Sequence, residues 1–135
     1  MFAAQDALFA LLQTAAAGWA TTEGLPARFA DKQAWVDENV DEWVIDPEHT
    51  GDTDESFTLN VYFFHRRTAA KATAIRAEIN TPAAAFAAAL KEDPTLSGAV
   101  SQATIVGGQY EGAFDDQKAT VRVGALHVRV GCRTW

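Results

Sequence analysis

"SFTLNVYFF", residues 56–64, is the stretch that decides the fold. Phe57, Leu59, Val61 and Phe63 alternate with Thr58, Asn60, Tyr62 and Phe64. That is the period of a β-strand, whose successive side chains point to opposite faces. "HRRT" (65–68) ends the strand, and Thr68 can cap a following helix. The next stretch, "AAKATAIRAEINTPAAAFAAALKED" (69–93), reads as that helix, broken at Thr81-Pro82. Proline inside a helix removes a backbone bond and clashes with the preceding turn. Two outcomes are open: a kink near Asn80, or a fresh helix with Thr81 as N-cap and Pro82 at its first position.

The helix runs into "LKEDPTLSGAV" (90–100), a corner in which most positions have a conformational task. Lys91 suits a helix C-terminus through the macrodipole. Asp93 precedes Pro94 and is pushed out of the α conformation. Leu96 can fold back on the last helical turn, and Gly98 supplies backbone freedom. Two further β runs follow, "AVSQATIVG" (99–107) and "KATVRVGALHVRV" (118–130), joined by "GQYEGAFDDQ" as a loose hairpin connection. In the last run Val121 and Val123 share one parity, and Leu126, Val128 and Val130 the other. A bulge or bend at Gly124-Ala125 would let both sets face one core.

Upstream, residues 2–16 read as a helix that stops at Gly18, and "TTEGLPARFAD" (21–31) as loop. The acidic segment 31–55 holds ten acids against one lysine, interrupted by Trp35, Val36, Val40, Trp43, Val44 and Ile45. It reads as an extended and loop region, with short strands near 33–37 and 42–46 and a polar turn after them. The order helix, strands, long strand, helix, strand, strand predicts a single α+β domain over residues 1–135. Its sheet is mostly antiparallel, with helices packed on one face.

Composition narrows the function. A chain of 135 residues buries roughly two thirds of its unfolded surface as one domain. No run of about 18 apolar residues exists, so no transmembrane helix is expected. The start lacks a basic region and carries Asp6 within its apolar part, which argues against a secretory signal. The single cysteine, Cys132, excludes an intrachain disulfide and a CxxC metal site, and suits a reducing cytoplasm. Net charge is −7, unevenly spread. Residues 1–60 hold twelve acids against Arg28 and Lys32, and residues 61–135 hold six acids against nine bases. The acidic half disfavours duplex binding, whereas two poles of opposite sign can steer copies into register.

Little reads as catalytic. His49 lies among Asp46, Glu48, Asp52 and Asp54, oxygen donors for a divalent cation, but without an EF-hand's glycine and distal glutamate. His127 has the opposite strand parity to Leu126 and Val128 and reads as exposed. The pairs Asp37/Glu38, Asp41/Glu42 and Asp115/Asp116 are sequence neighbours. In a strand such neighbours point apart, which does not suit paired acid–base work. Gly107-Gly108 opens no helix and builds no phosphate cradle. Arg66-Arg67, read at a helix start, would sit against the dipole and serve a contact, such as an acidic neighbour. Trp19, Trp35, Trp43 and Trp135 read as core or subunit interface.

Residues 52–130 resemble a known family. "GDTDESFTLNVYFFHRRTAAKATAIRAEI" is similar to its polar lead, strand and arginine- and alanine-rich helix. "AAFAAALKEDPTLSGAVSQATIVGGQYEG" resembles its signature corner, helix then Asp-Pro-Thr-Leu-Gly-Gly then strand, with Ser97 where glycine is expected. "DDQKATVRVGALHVRV" resembles its closing strand. The family is the tail terminator (tail completion) proteins of long-tailed bacteriophages, in the form found in phages of actinobacteria. The resemblance implies no catalysis and no cofactor. It implies a structural virion protein made in the host cytoplasm and built into the head-proximal end of the tail. There a ring, usually a homohexamer, caps the tail tube protein and meets the head–tail connector proteins, and genomic DNA passes through its lumen.

On that basis Trp43, Arg66, Arg67, Asp93 and Trp135 are candidate interface residues, and Asp37, Glu38, Asp41 and Glu42 candidate lumen-facing acids. Two other readings stand beside it. One is another neck or tail-tube component of the same virion, which would polymerise alone. The other is a small metal-binding enzyme built on the acidic turn around His49.

Overall fold

The computed structural model describes residues 2–49, 52–68, 72–115 and 119–134; the side chains of 46–49, 52–53, 68, 72, 112–115, 119 and 133–134 also lie outside the description. Seven elements follow in order: α1 (Phe2–Ala15), β1 (Ala20–Glu23), β2 (Lys32–His49), β3 (Asp52–Thr68), α2 (Ala72–Glu92), β4 (Gln102–Asp115) and β5 (Ala119–Thr134). The strands form one sheet in the order β1-β2-β3-β5-β4. Every pairing is antiparallel except the short parallel match of β1 to β2. Both helices pack on the same face, and the fold is the expected α+β domain.

The alternation in β3 builds the core. Phe57, Leu59, Val61 and Phe63 are all essentially fully buried on the helix side, beside Ala34 and Val36 of β2 and Val128 and Val130 of β5. Burying each such side chain contributes about 1.5–3 kcal/mol. α1 supplies Ala4, Leu8 and Leu12, one residue per turn, with Ala16 just past its end. Gly18 then stops it with φ +86°, a left-handed position that suits glycine. Trp19 closes this end with its ring edge-on to Phe63, centroids 6.1 Å apart.

Helix α2 is continuous through Pro82, so the fresh start that was one of the two expectations at Thr81 is absent. Ile75, Ile79, Pro82, Phe86 and Leu90 are buried at helical spacing, so the proline lies on the packed stripe. That packing offsets the ~3 kcal/mol an interior proline costs. Thr81 is no cap; its hydroxyl donates back to the Ala77 carbonyl at 3.3 Å. Thr68 belongs to β3, and the start of α2 adjoins residues 69–71, outside the described residues.

Three more expectations change. The acidic segment forms one long strand, β2, where two short ones were expected, interrupted by register shifts after Val36, Asp41 and Asp46. Part of the region read as loop forms β1. The parity switch at Gly124-Ala125 produces no bulge, because β5 stays in continuous register with β3 from residue 119 to 134. Leu126, Val128 and Val130 instead share the helix side with Leu59 and Phe57. Val121, Val123 and Ala125 join Phe64 and Tyr62 on the opposite face. In the β4–β5 pairing the register shifts fall on β4, after Ile105 and Gly112.

The face away from the helices carries two zones. At one end Trp35 stacks on Tyr62 with centroids 5.1 Å apart. Phe29, from the loop after β1, covers Phe64 at 4.7 Å and Trp35 at 5.5 Å. At the other end the same face is polar, with Ser56, Thr58 and Asn60 of β3 facing Arg129 and His127 of β5.

Candidate functional site

The acidic strand β2 is tied to the sheet by a hydrogen-bonded chain on the open face. Asn60 Nδ2 donates to Asp41 Oδ2 at 2.8 Å, and His127 Nδ1 donates to Asn60 Oδ1 at 2.5 Å. Arg129 donates to the Glu42 carbonyl (2.9 Å), the Thr58 hydroxyl (3.1 Å) and the Ser56 hydroxyl (2.8 Å), and its guanidinium lies 3.7 Å from the Glu42 carboxylate. Glu42 has φ +49°. Holding a non-glycine residue there needs surrounding contacts, and Arg129 supplies two of them. Burial raises the Tyr62 phenol above its usual value, helped by the charges of Asp37 and Asp41.

Beyond this anchor, residues 43–45 of β2 are exposed. β1 pairs with β2 only from Gln33 to Val36, so the rest of β2 has no outer neighbour among the described residues. Three consecutive large apolar side chains stand in solvent there: Trp43 (54 % exposed), Val44 (52 %) and Ile45 (55 %). Burying charged neighbours would be expensive, but burying this triad is favourable. Of the candidate lumen acids, Asp41 and Glu42 make the contacts above. Asp37 accepts the Asn39 amide at 3.1 Å. Glu38 is exposed, and its carbonyl accepts from Gln5.

Arg66 and Arg67 lie in β3, not at a helix start, so no dipole penalty applies to them. Both have acidic neighbours: Arg66 pairs with Asp31 at 3.0 Å, and Arg67 with Glu78 of α2 at 2.7 Å. Glu78 also meets Nε2 of the buried His65, whose Nδ1 donates to the Asp31 carbonyl at 3.0 Å. The His65 hydrogen bond, then the charges of His65, Arg67 and Lys32, hold the Glu78 carboxyl below its usual range against a partial desolvation. This cluster joins β3, α2 and the loop before β2. Asp93 is engaged inside its own corner, where it holds Ser97. Trp43 is exposed, and Trp135 lies outside the described residues.

The edge opposite β2 holds a feature that sequence reasoning missed. Helix α2 lies over β3 and β5 and barely reaches β4, so the helix side of β4 is left as a groove. Two adjoining hollows of about 520 and 420 Å³ run along it. Ile79, Ala83, Gly108 and Tyr110 line the first, and Ala87, Leu90 and Ile105 the second. Among the described residues, the charged ones lining it are Arg76 and Lys91. The sequence signal was present in the alanines of 83–89 and in Gly107-Gly108, whose small side chains leave the space open.

Among the described residues no three His, Cys, Asp or Glu side chains group to hold a metal ion. The side chains of Asp46, Glu48, His49 and Asp52 lie outside the description, as does that of Asp115; Asp116 falls outside entirely. Burial pushes the Cys132 thiol up, away from the reactive thiolate. Also among the described residues, no helix is long and apolar enough to cross a membrane. Neither a family model nor a curated protein sequence matches the chain.

Proposed function

We propose that this protein is a structural virion protein, a tail terminator whose copies form a ring on the head-proximal end of a phage tail tube. The observation that carries this reading is the pair of unlike edges of one sheet, unpartnered among the described residues. One edge is acidic with an apolar triad, and the other is a groove with basic charges at its walls. Edges that differ and complement each other favour head-to-tail contacts, which close into rings when the rotation allows. A terminator offers one matching face to the tube and withholds a second, so growth stops. On this reading the ring, six copies in the family it resembles, joins the tail tube protein to the head–tail connector, and the acids Asp37, Glu38, Asp41 and Glu42 face the lumen. Negative charge there keeps a DNA backbone from adhering during passage.

The test mixes purified protein with polymerising tail tube protein and measures tube lengths by electron microscopy. The reading expects free rings in the protein alone, and shorter tubes with one density-capped end in the mixture. Long tubes formed by the protein alone would assign it to the tube itself. Unchanged tube lengths with no caps would defeat the terminator reading. For the lumen acids, charge reversal to lysine should slow DNA delivery by assembled particles; unaltered delivery removes that part of the proposal.

A further inference from the structure

We infer that the β2 edge of one copy, at the apolar triad Trp43-Val44-Ile45, docks against β4 of a second copy, so that Ile45, on the helix side, enters the α2/β4 groove while Val44 lies on the other face. The inference rests on the ring reading above and names the surfaces that would join its subunits.

Three observations select this occupant. The first is chemical fit. More than half of each triad side chain is exposed, and a run of consecutive exposed apolar residues marks an interaction site. The groove presents Ile79, Ala83, Ala87, Leu90 and Ile105 along its two hollows.

The second is charge. The triad directly follows Asp41 and Glu42 in β2, while among the described residues the charged ones lining the groove are Arg76 and Lys91. Opposite signs on the two surfaces favour triad-to-groove contact and disfavour triad-to-triad contact, which would bring acids together.

The third is register. Val44 pairs with Ser56, Ser56 with Gly131, and Gly131 with Gln102. The triad therefore stands in the same row of the sheet as the start of β4, three strand spacings or about 14 Å away. The second hollow, at Ala103–Ile105, begins at that level. Two copies can be joined edge to edge with almost no shift along the strands. A shift at each contact would accumulate into a spiral, whereas its absence permits a closed ring.

The test uses the full chain carrying Cys132→Ser, with one cysteine added per variant, both on the helix side of the sheet: Ile45→Cys, or Ile105→Cys at the groove. A short bifunctional maleimide should link a mixture of the two variants into a dimer of one copy of each, with little product from either alone. Ala87→Arg, which fills the groove, should reduce the mixed product at least tenfold while circular dichroism stays unchanged. Lys91→Glu, at the groove rim rather than its floor, should weaken it in a salt-dependent way. Ile45→Cys linking to itself with no mixed product would mean triad-to-triad pairing and overturn the inference. So would an absence of any product in a folded mixture, or full linkage in the Ala87→Arg variant. A ring visible by microscopy without the mixed link overturns the docking and leaves the ring standing. A mixed link in a protein that caps no tubes supports the docking and removes the terminator reading.

Discussion

Asp93 holds Ser97 from two sides: its Oδ1 accepts the Ser97 amide at 2.9 Å, and its Oδ2 accepts the Ser97 hydroxyl at 3.2 Å. The bonds matter because Leu96, Ser97 and Gly98 all have positive φ, at 51°, 57° and 89°. Only the last is a glycine. Leu96 is drawn into the core at 4 % exposure, which sustains its own strained backbone.

Ser97 has no such burial and depends on Asp93. Asp93→Ala should therefore lower stability by about 1 kcal/mol, the scale of a net hydrogen bond. Ser97→Gly loses one exposed hydrogen bond but removes a left-handed strain of roughly 1–2 kcal/mol. It should be neutral to about 1 kcal/mol stabilising. Urea unfolding of the two variants checks both signs. A clear loss of stability in Ser97→Gly would show that the hydroxyl bond outweighs the backbone term.

The Glu78 carboxyl sets an acid limit on the fold. Its native value is lowered, chiefly by the His65 hydrogen bond, so its contribution is fully present above the ordinary glutamate range of about 4.3. The contribution is lost as pH falls below that range through the lowered native value. Glu78→Gln removes the charge and with it this pH dependence. The Tm gap between wild type and variant should be widest near neutral pH and narrow as pH falls through about 4. A constant gap across that window would show that Glu78 acts by packing alone.

Two adjacent glycines in β4 should behave differently. A Cβ on Gly108 would stand 2.8 Å from the Ala125 carbonyl oxygen, a backbone atom that cannot rotate away. A Cβ on Gly107 would meet His127 Cδ2 at 3.7 Å, an ordinary contact. Gly108→Ala should cost about 1–3 kcal/mol as overpacking, and Gly107→Ala should stay near neutral. Equal losses in thermal melts would mean the β4–β5 pairing relaxes around the added methyl.

What the sequence revealed tracks the range of the forces involved. The strand at 56–64, the stop at Gly18 and the corner at 93–98 rest on local periodicity and turn chemistry, and all three are present. The restart considered at Thr81-Pro82 did not occur, because proline as breaker, a local rule, lost to tertiary packing of Ile79, Pro82 and Phe86. The parity switch at Gly124-Ala125 was misread because a sheet with one dry face was assumed. Phe29, Trp35, Tyr62 and Phe64 give this sheet a second apolar zone, which takes Val121 and Ala125 without a bulge. Arg66 and Arg67 were placed at a helix start because nothing local marks the end of so long a strand, although the expected acidic neighbours exist. The α2/β4 groove depends on how far a helix reaches across a sheet, and no short window of sequence contains that.

Trp35 and Trp43 lie eight positions apart in one strand, and they separate the fold from its surface. Trp35 is 6 % exposed and stacked on Tyr62, while Trp43 is 54 % exposed. Trp35→Ala should destabilise by about 3–5 kcal/mol, since it removes a large buried ring and leaves a cavity. Trp43→Ala should alter unfolding by no more than about 0.5 kcal/mol, because its ring is not part of the monomer's core. If Trp43 contributes to assembly, its removal should instead lower the oligomer mass seen by sedimentation at equal protein concentration. Iodide quenching gives an independent check. Wild type in the monomeric state should show a quenchable tryptophan that Trp43→Ala lacks, and assembly should protect it. A large stability loss in Trp43→Ala would place that ring in the core of the folded chain and remove the apolar triad as a free surface.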